Sequence, residues 1–153
     1  MDRARALDAA LSHVRAALDT LESMAQMSRD EATNAESKAE HKYDTRSTEA
    51  SYLARGQAER VIALRRLLGS IDGAQVAPSD GPARVLSLVE LDTERGTRWV
   101  LLVPDGGGAR IDVDGAMLLL VSPQSPAGTA LIGASEGESV TFARAEAEVC
   151  SVA

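Results

Sequence analysis

The sequence predicts an α+β protein in which a long antiparallel α-helical coiled-coil hairpin precedes a small β-rich domain. Three observations predict it. Residues 2–36 hold no Gly or Pro and are rich in Ala, Leu, Arg and Glu, all good helix formers. Two heptad seams run through residues 7–32 and 50–71. From residue 84 onward the pattern changes to short apolar runs punctuated by Gly and Pro, which reads as strands and turns.

The first seam consists of Leu7, Leu11, Val14, Leu18, Leu21, Ala25, Ser28 and Ala32, at alternating gaps of four and three. The second runs through Ala50, Ala54, Gln57, Val61, Leu64, Leu68 and Ile71, and Gly69, Gly73 and Pro78 mark its end. Antiparallel packing would pair Leu7 with Ile71 and Ala32 with Ala50, and either pair puts the turn near residue 40. Arms of roughly 30–35 residues would be about 45–50 Å long at 1.5 Å per residue. Leu, Val and Ile fill the base of the seam, whereas Ala and Ser fill its distal half. Small residues let helix axes approach closely but bury less area, so the expected shape is a thin finger clamped at its base.

Residues 1–73 are thus read as the finger, with its tip near 38–46, residues 74–83 as a linker, and residues 84–153 as the second domain. Charge follows the same division. Residues 1–72 hold 11 Lys+Arg against 12 Asp+Glu, a net −1; residues 73–153 hold 5 against 11, a net −6. A total of −7 argues against a nucleic-acid binder that works through bulk basic charge. Phe142, Trp99, Tyr43 and Tyr52 are the only aromatics, too few for a pocket of stacked rings. The single cysteine, Cys150, excludes an internal disulfide and a cysteine metal cage. With no apolar leader and no run approaching ~18 apolar residues, a soluble cytoplasmic protein without membrane contact is expected; a monomer is the separate expectation for its assembly.

In the second domain, residues 85–91, 97–103, 109–113 and 117–121 read as strands, the last as a central one. Residues 122–133 read as a loop opening a short helix, with Pro126 in the first turn and Gly133 as the stop. Residues 140–143 and 148–152 read as a closing hairpin. The run Gly106-Gly107-Gly108 lacks the GxxxxGK[ST] spacing of a phosphate loop and is read as a turn. His13 and His41 lie too far apart along one arm to pair on a metal, and no Ser-His-Asp or Cys-His arrangement is supported.

The tip, Lys38-Ala39-Glu40-His41-Lys42-Tyr43-Asp44-Thr45-Arg46-Ser47, is charged and has neither Gly nor Pro. Its plain structural reading makes Asp44 or Thr45 an N-cap of the second helix and Glu40 a solvated charge.

A long hairpin with acids at its tip, followed by a small β-rich domain, resembles the Gre family of bacterial transcript cleavage factors. The strongest local match is Val121-Ser122-Pro123-Gln124-Ser125-Pro126-Ala127-Gly128-Thr129-Ala130-Leu131-Ile132-Gly133, which is similar to the family's I-S-x-x-S-P-x-G-x-A-L-x-G signature. Glu136-Gly137-Glu138-Ser139-Val140 resembles its x-G-D-x-V. The resemblance implies an FKBP-like fold for the second domain and bacterial RNA polymerase as partner. It implies that the finger enters the polymerase secondary channel and nears the RNA 3′ end, where tip carboxylates help hold a catalytic Mg²⁺. Such a factor needs no cofactor of its own and is not itself an enzyme; it activates the polymerase's own RNA hydrolysis. Carboxylates suit this task because Mg²⁺ is a hard cation that takes oxygen ligands, and two metals can stabilise the attacking and leaving oxygens.

Carried onto this chain, the resemblance assigns the tip role to Asp44 and Glu40 and polymerase docking to Gln124, Ser125 and Pro126. The family's tip reads G-D-x-x-E-N. Here the second acid falls on Asp44 but the first falls on His41, with Glu40 one residue earlier. A second register aligns Ala50-Ser51-Tyr52 with the family's A-E-Y and shifts attention toward Asp44 and Glu49. An imidazole is a poor Mg²⁺ ligand, so a non-cleaving channel blocker or transcription regulator is the alternative reading. An FKBP-type prolyl isomerase or chaperone would need an aromatic pocket that Trp99 and Phe142 alone do not supply. A coiled-coil adaptor unrelated to polymerase is the remaining class.

Overall fold

A computed structural model describes residues 1–36, 45–73 and 81–153, with side chains described for residues 1–27, 30, 55–73 and 81–153. Glu40, His41 and Asp44 at the expected tip, and residues 74–80 of the expected linker, lie outside the described residues. The order of elements is α1 (Arg3–Glu36), α2 (Thr45–Asp72), β1 (Leu88–Thr93), β2 (Arg98–Leu102), β3 (Arg110–Val113), β4 (Ala116–Val121), α3 (Pro126–Leu131), β5 (Ser139–Phe142) and β6 (Ala145–Val152). This is the α+β class expected from the periodicities.

Helix α1 starts where Asp2 caps it: the Arg5 amide donates to Asp2 Oδ1 at 2.9 Å, satisfying one of the free amides of the first turn. At 1.5 Å per residue its 34 residues span about 50 Å. The first five turns pack against the last turns of α2, and two ion pairs fix the direction of that packing. Arg15 meets Asp72 at 3.6 Å and Arg65 meets Glu22 at 2.7 Å, so the two helices run antiparallel here. All four side chains are more than half exposed, so each pair contributes at most about 1 kcal/mol. Burial is what holds the helices together.

The six strands form one sheet in the order β3-β4-β2-β1-β6-β5. Every neighbouring pair is antiparallel except β2 and β4, which run parallel. Side chains alternate between faces along each strand, and both faces are covered. On one face Leu88, Leu101, Val103, Leu118 and Leu120 join Ala6, Leu7, Ala10, Val14, Leu18, Leu64, Leu67 and Ile71 of the helices in a single buried cluster. On the other face Val89, Leu91, Val100, Leu102, Phe142 and Val149 pack with Leu131 of α3.

Three details differ from the sequence reading. Strand β1 begins at Leu88 rather than at 85, because Leu86 has φ +70°, which breaks extended geometry, and Arg84–Ser87 closes as a turn. Strand β4 is second from the edge rather than central, since only the short β3 lies outside it. Strand β6 begins at Ala145 rather than at 148, directly after a two-residue turn.

Leu67 is fully buried where α2, the sheet and Gly106 meet, so Leu67→Ala removes contacts that belong to helices and sheet alike. A loss of about 2–5 kcal/mol is expected in urea unfolding. Helical circular dichroism and Trp99 fluorescence should shift together, because Trp99 packs against the same cluster. Separate midpoints would show that helices and sheet do not share one cooperative core.

Candidate functional site: the loop that opens α3

The chain leaves β4 at Val121 and reaches α3 through Ser122-Pro123-Gln124-Ser125; Gln124, Ser125 and Pro126, the first residue of α3, are the expected docking residues. Ser125 has extended geometry (φ −77°, ψ 154°) and caps α3, accepting from the Gly128 amide at 3.0 Å. Its hydroxyl donates in turn to the Ser122 carbonyl at 2.7 Å, and its amide donates to the same carbonyl at 3.0 Å. Pro126 occupies the first helical turn, where a missing N–H costs nothing. Thr129 Oγ1 donates to the Pro123 carbonyl at 3.0 Å, which ties the helix back over the loop.

Ser122 is the hub. Its Oγ donates to Gln124 Oε1 and accepts from the Gln124 amide at 3.3 Å. Two glycines are needed for its neighbours to approach. A Cβ on Gly128 would strike the Ser122 carbonyl oxygen, and would lie 2.7 Å from the Ser122 carbonyl carbon and 2.9 Å from Pro123 Cα. A Cβ on Gly107 would lie 2.6 Å from the Ser122 amide nitrogen. The run at 106–108 is therefore more than the turn read from sequence: Gly107 abuts the loop, and a Cβ on Gly106 beside it would lie 3.2 Å from Leu67 Cδ2 of α2. A groove of about 510 Å³ lies along this seam, lined by Gly107, Arg110, Leu120, Ser122, Ser125 and Ala127 among others.

The loop is built so that its shape is internal and its outer surface is free. Gln124, Pro126 and Thr129 are exposed, whereas Gly128 and Leu131 are buried. Gly133, at φ +85°, ends α3, and its amide donates to the Ala83 carbonyl at 2.7 Å, latching the helix to the start of the domain. The structure thus brings Gln124, Ser125 and Pro126 together; Asp44 and Glu40 lie outside the described residues. Sequence reasoning read Ser122 only as part of the motif and Gly107 only as part of a turn; it did not bring the two together.

Other chemistry is sparse. Among the described residues no three His, Cys, Asp or Glu side chains lie close enough to hold a metal ion. No described helix is long and apolar enough to cross a membrane. Cys150 is exposed on β6, and its thiol pKa is raised, first by partial desolvation and then by the Glu90, Asp92 and Glu148 carboxylates, with the Asp92 backbone opposing. A raised pKa means less thiolate at neutral pH, which is the wrong direction for a nucleophile.

Two outcomes follow for the loop and one for the thiol. Ser125→Ala should cost about 0.5–2 kcal/mol in thermal unfolding, and Gly128→Ala about 3 kcal/mol or more, because its clash is with backbone. Gln124→Ala should stay within about 0.5 kcal/mol of the parent protein, which makes it a clean probe of surface contacts. Alkylation of Cys150 by iodoacetamide at pH 8 should be slower than that of a free thiol such as glutathione; an equal or faster rate would contradict the raised pKa.

No protein-family model and no curated protein matches the chain. Among solved structures, the chain is similar to one described as the transcription factor Gfh1, with 23% identity, a TM-score of 0.36, and 94% of this chain and 93% of that chain covered. It is also similar to GreA factor homolog 1 (Gfh1) of Thermus thermophilus, with 18% identity, a TM-score of 0.36 and 95% of each chain covered. For Gfh1 of Thermus aquaticus the values are 17% identity, a TM-score of 0.37, and 95% of this chain and 94% of that chain covered.

Proposed function

We propose that this protein is a transcription factor of the Gre type that binds RNA polymerase, docks through the Gln124-Ser125-Pro126 loop and extends its two helices as a finger into the secondary channel. The observation that carries the reading is the link between loop and helices. Ser122 rests against Gly107, and the adjacent Gly106 rests against Leu67 of α2. A surface that docks at the loop is thereby linked by direct packing to the base of the finger. Docking at one point then aims the other, which is what delivery of a tip to a distant site requires.

The sequence supplies the rest of the support. The loop carries the S-P-x-G-x-A-L-x-G wording, and the tip carries Glu40 and Asp44, the oxygen ligands that a shared Mg²⁺ would accept. In this reading the polymerase performs RNA hydrolysis, and the factor contributes carboxylates to its metal. A second reading keeps the same docking without cleavage. It is favoured by His41, which stands where the family places its first tip acid and cannot serve as a hard-metal oxygen ligand.

Cleavage of RNA in stalled, backtracked complexes by purified core polymerase decides between them. Stimulation that falls about 10–100-fold in Asp44→Ala supports metal assistance at the tip. Binding without stimulation supports the blocker. If core polymerase retains none of the protein at low salt, both readings fail. Gln124→Arg should weaken retention without changing the unfolding midpoint, since Gln124 is exposed.

A further inference from the structure

Residues 81–153 contain five arginines and no lysine, in a part of the chain where acids outnumber bases. Four of the five, Arg95, Arg98, Arg110 and Arg144, line one cleft of about 710 Å³. The cleft lies on the sheet face that carries α3, in the part α3 leaves uncovered. Arg98 of β2 and Arg110 of β3 stand on one side, and the turn bearing Arg144 stands on the other. Strands at opposite ends of the sheet order meet here, so the sheet must curl to form it.

None of the four arginines forms an ion pair among the described residues. One acid, Glu94, also lines the cleft, so it is rich in uncompensated positive charge within an acidic domain. Like charges gathered in a concavity repel one another, and that cost is relieved when an anion enters. The floor is apolar: Met117 is 41% exposed there, and Phe142 closes the base. The β5–β6 turn that presents Arg144 is also strained. Phe142 pairs with Ala145, leaving Ala143 (φ +51°) and Arg144 (φ +70°) as a two-residue turn with both residues in the left-handed region. Asn-Gly or Asp-Gly is the usual choice for such a turn.

We propose that this cleft binds a nucleoside triphosphate, with the arginines on the phosphates and the apolar floor beneath the base. Guanidinium groups present planar forks that match phosphate oxygens in pairs. The volume of about 710 Å³ falls within the range of small-molecule sites, about 300–1,000 Å³. The proposal does not depend on polymerase binding and is tested on the protein alone.

Isothermal titration of the full chain with GTP, ATP, pyrophosphate, guanosine and a short single-stranded RNA tests it. Saturable binding of one GTP or ATP per chain is expected, weaker for pyrophosphate and lost for guanosine, with affinity falling as salt rises. The double variant Arg98→Ala/Arg110→Ala should lose about tenfold or more in affinity. Arg144→Gly guards against misfolding as the explanation. Glycine relieves the strained turn, so the melting temperature should hold or rise while affinity falls. Absence of nucleotide binding at millimolar concentration, binding unchanged in both variants, or RNA binding that nucleotide does not displace would each overturn the proposal.

Discussion

Everything in this fold depends on the burial of the helical base against one face of the sheet. Leu7, Val14, Leu18, Leu64, Leu67 and Ile71 sit in one cluster with Leu88, Leu101, Val103, Leu118 and Leu120. Each such side chain contributes roughly 1.5–3 kcal/mol when removed from water, whereas each exposed ion pair of the helices contributes at most about 1 kcal/mol. The ion pairs Arg15–Asp72, Glu22–Arg65 and Arg5–Asp114 therefore set direction and docking angle more than strength. A helix as long as α1 cannot be held by its own propensity alone, and most helical stability in proteins comes from packing of this kind.

That cluster also explains which features were legible in the sequence. The heptad positions Leu7, Val14, Leu18, Leu64 and Ile71 are buried, as a seam between helices requires. Ala6, Ala10 and Leu67 lie off the seam yet are buried as deeply. They share a cluster with strands of the sheet, and periodicity within one helix carries no information about a partner in a different element downstream. The strands were visible as apolar runs because alternation exposes itself locally. Where β1 begins was not, because a positive φ at Leu86 follows from its place between Arg3 Nε, which donates to its carbonyl at 2.9 Å, and the Leu102 carbonyl, to which its own amide donates at 2.6 Å.

The loop before α3 shows the same division. Its motif residues were readable because local rules fix them: a serine cap, a proline in the first turn, a glycine at the end. Gly107 could be seen as a glycine but not as a contact, since its need arises only when Ser122 is brought within 2.6 Å of its missing Cβ. The arginine cleft left no trace in the sequence at all. Arg95, Arg98, Arg110 and Arg144 are scattered over some 50 residues, and only the order β3-β4-β2-β1-β6-β5 with its curl gathers them.

The two tight hairpins of the sheet make a natural control for the meaning of that cleft. Both connect their strands with two residues in the left-handed region. Between Val113 and Ala116 the pair is Asp114 (φ +53°) and Gly115 (φ +83°), a pair suited to the geometry, and Asp114 reaches Arg5 of α1 at 2.6 Å. Between Phe142 and Ala145 the pair is Ala143 and Arg144, each of which costs roughly 1–2 kcal/mol in this conformation. Asp-Gly shows that a two-residue turn of this sheet can take the relaxed pair even while its aspartate holds an ion pair to α1. Strain held at Ala143-Arg144 but not at Asp114-Gly115 fits what only the β5–β6 turn does: it carries an arginine to the rim of a cleft that three others already line.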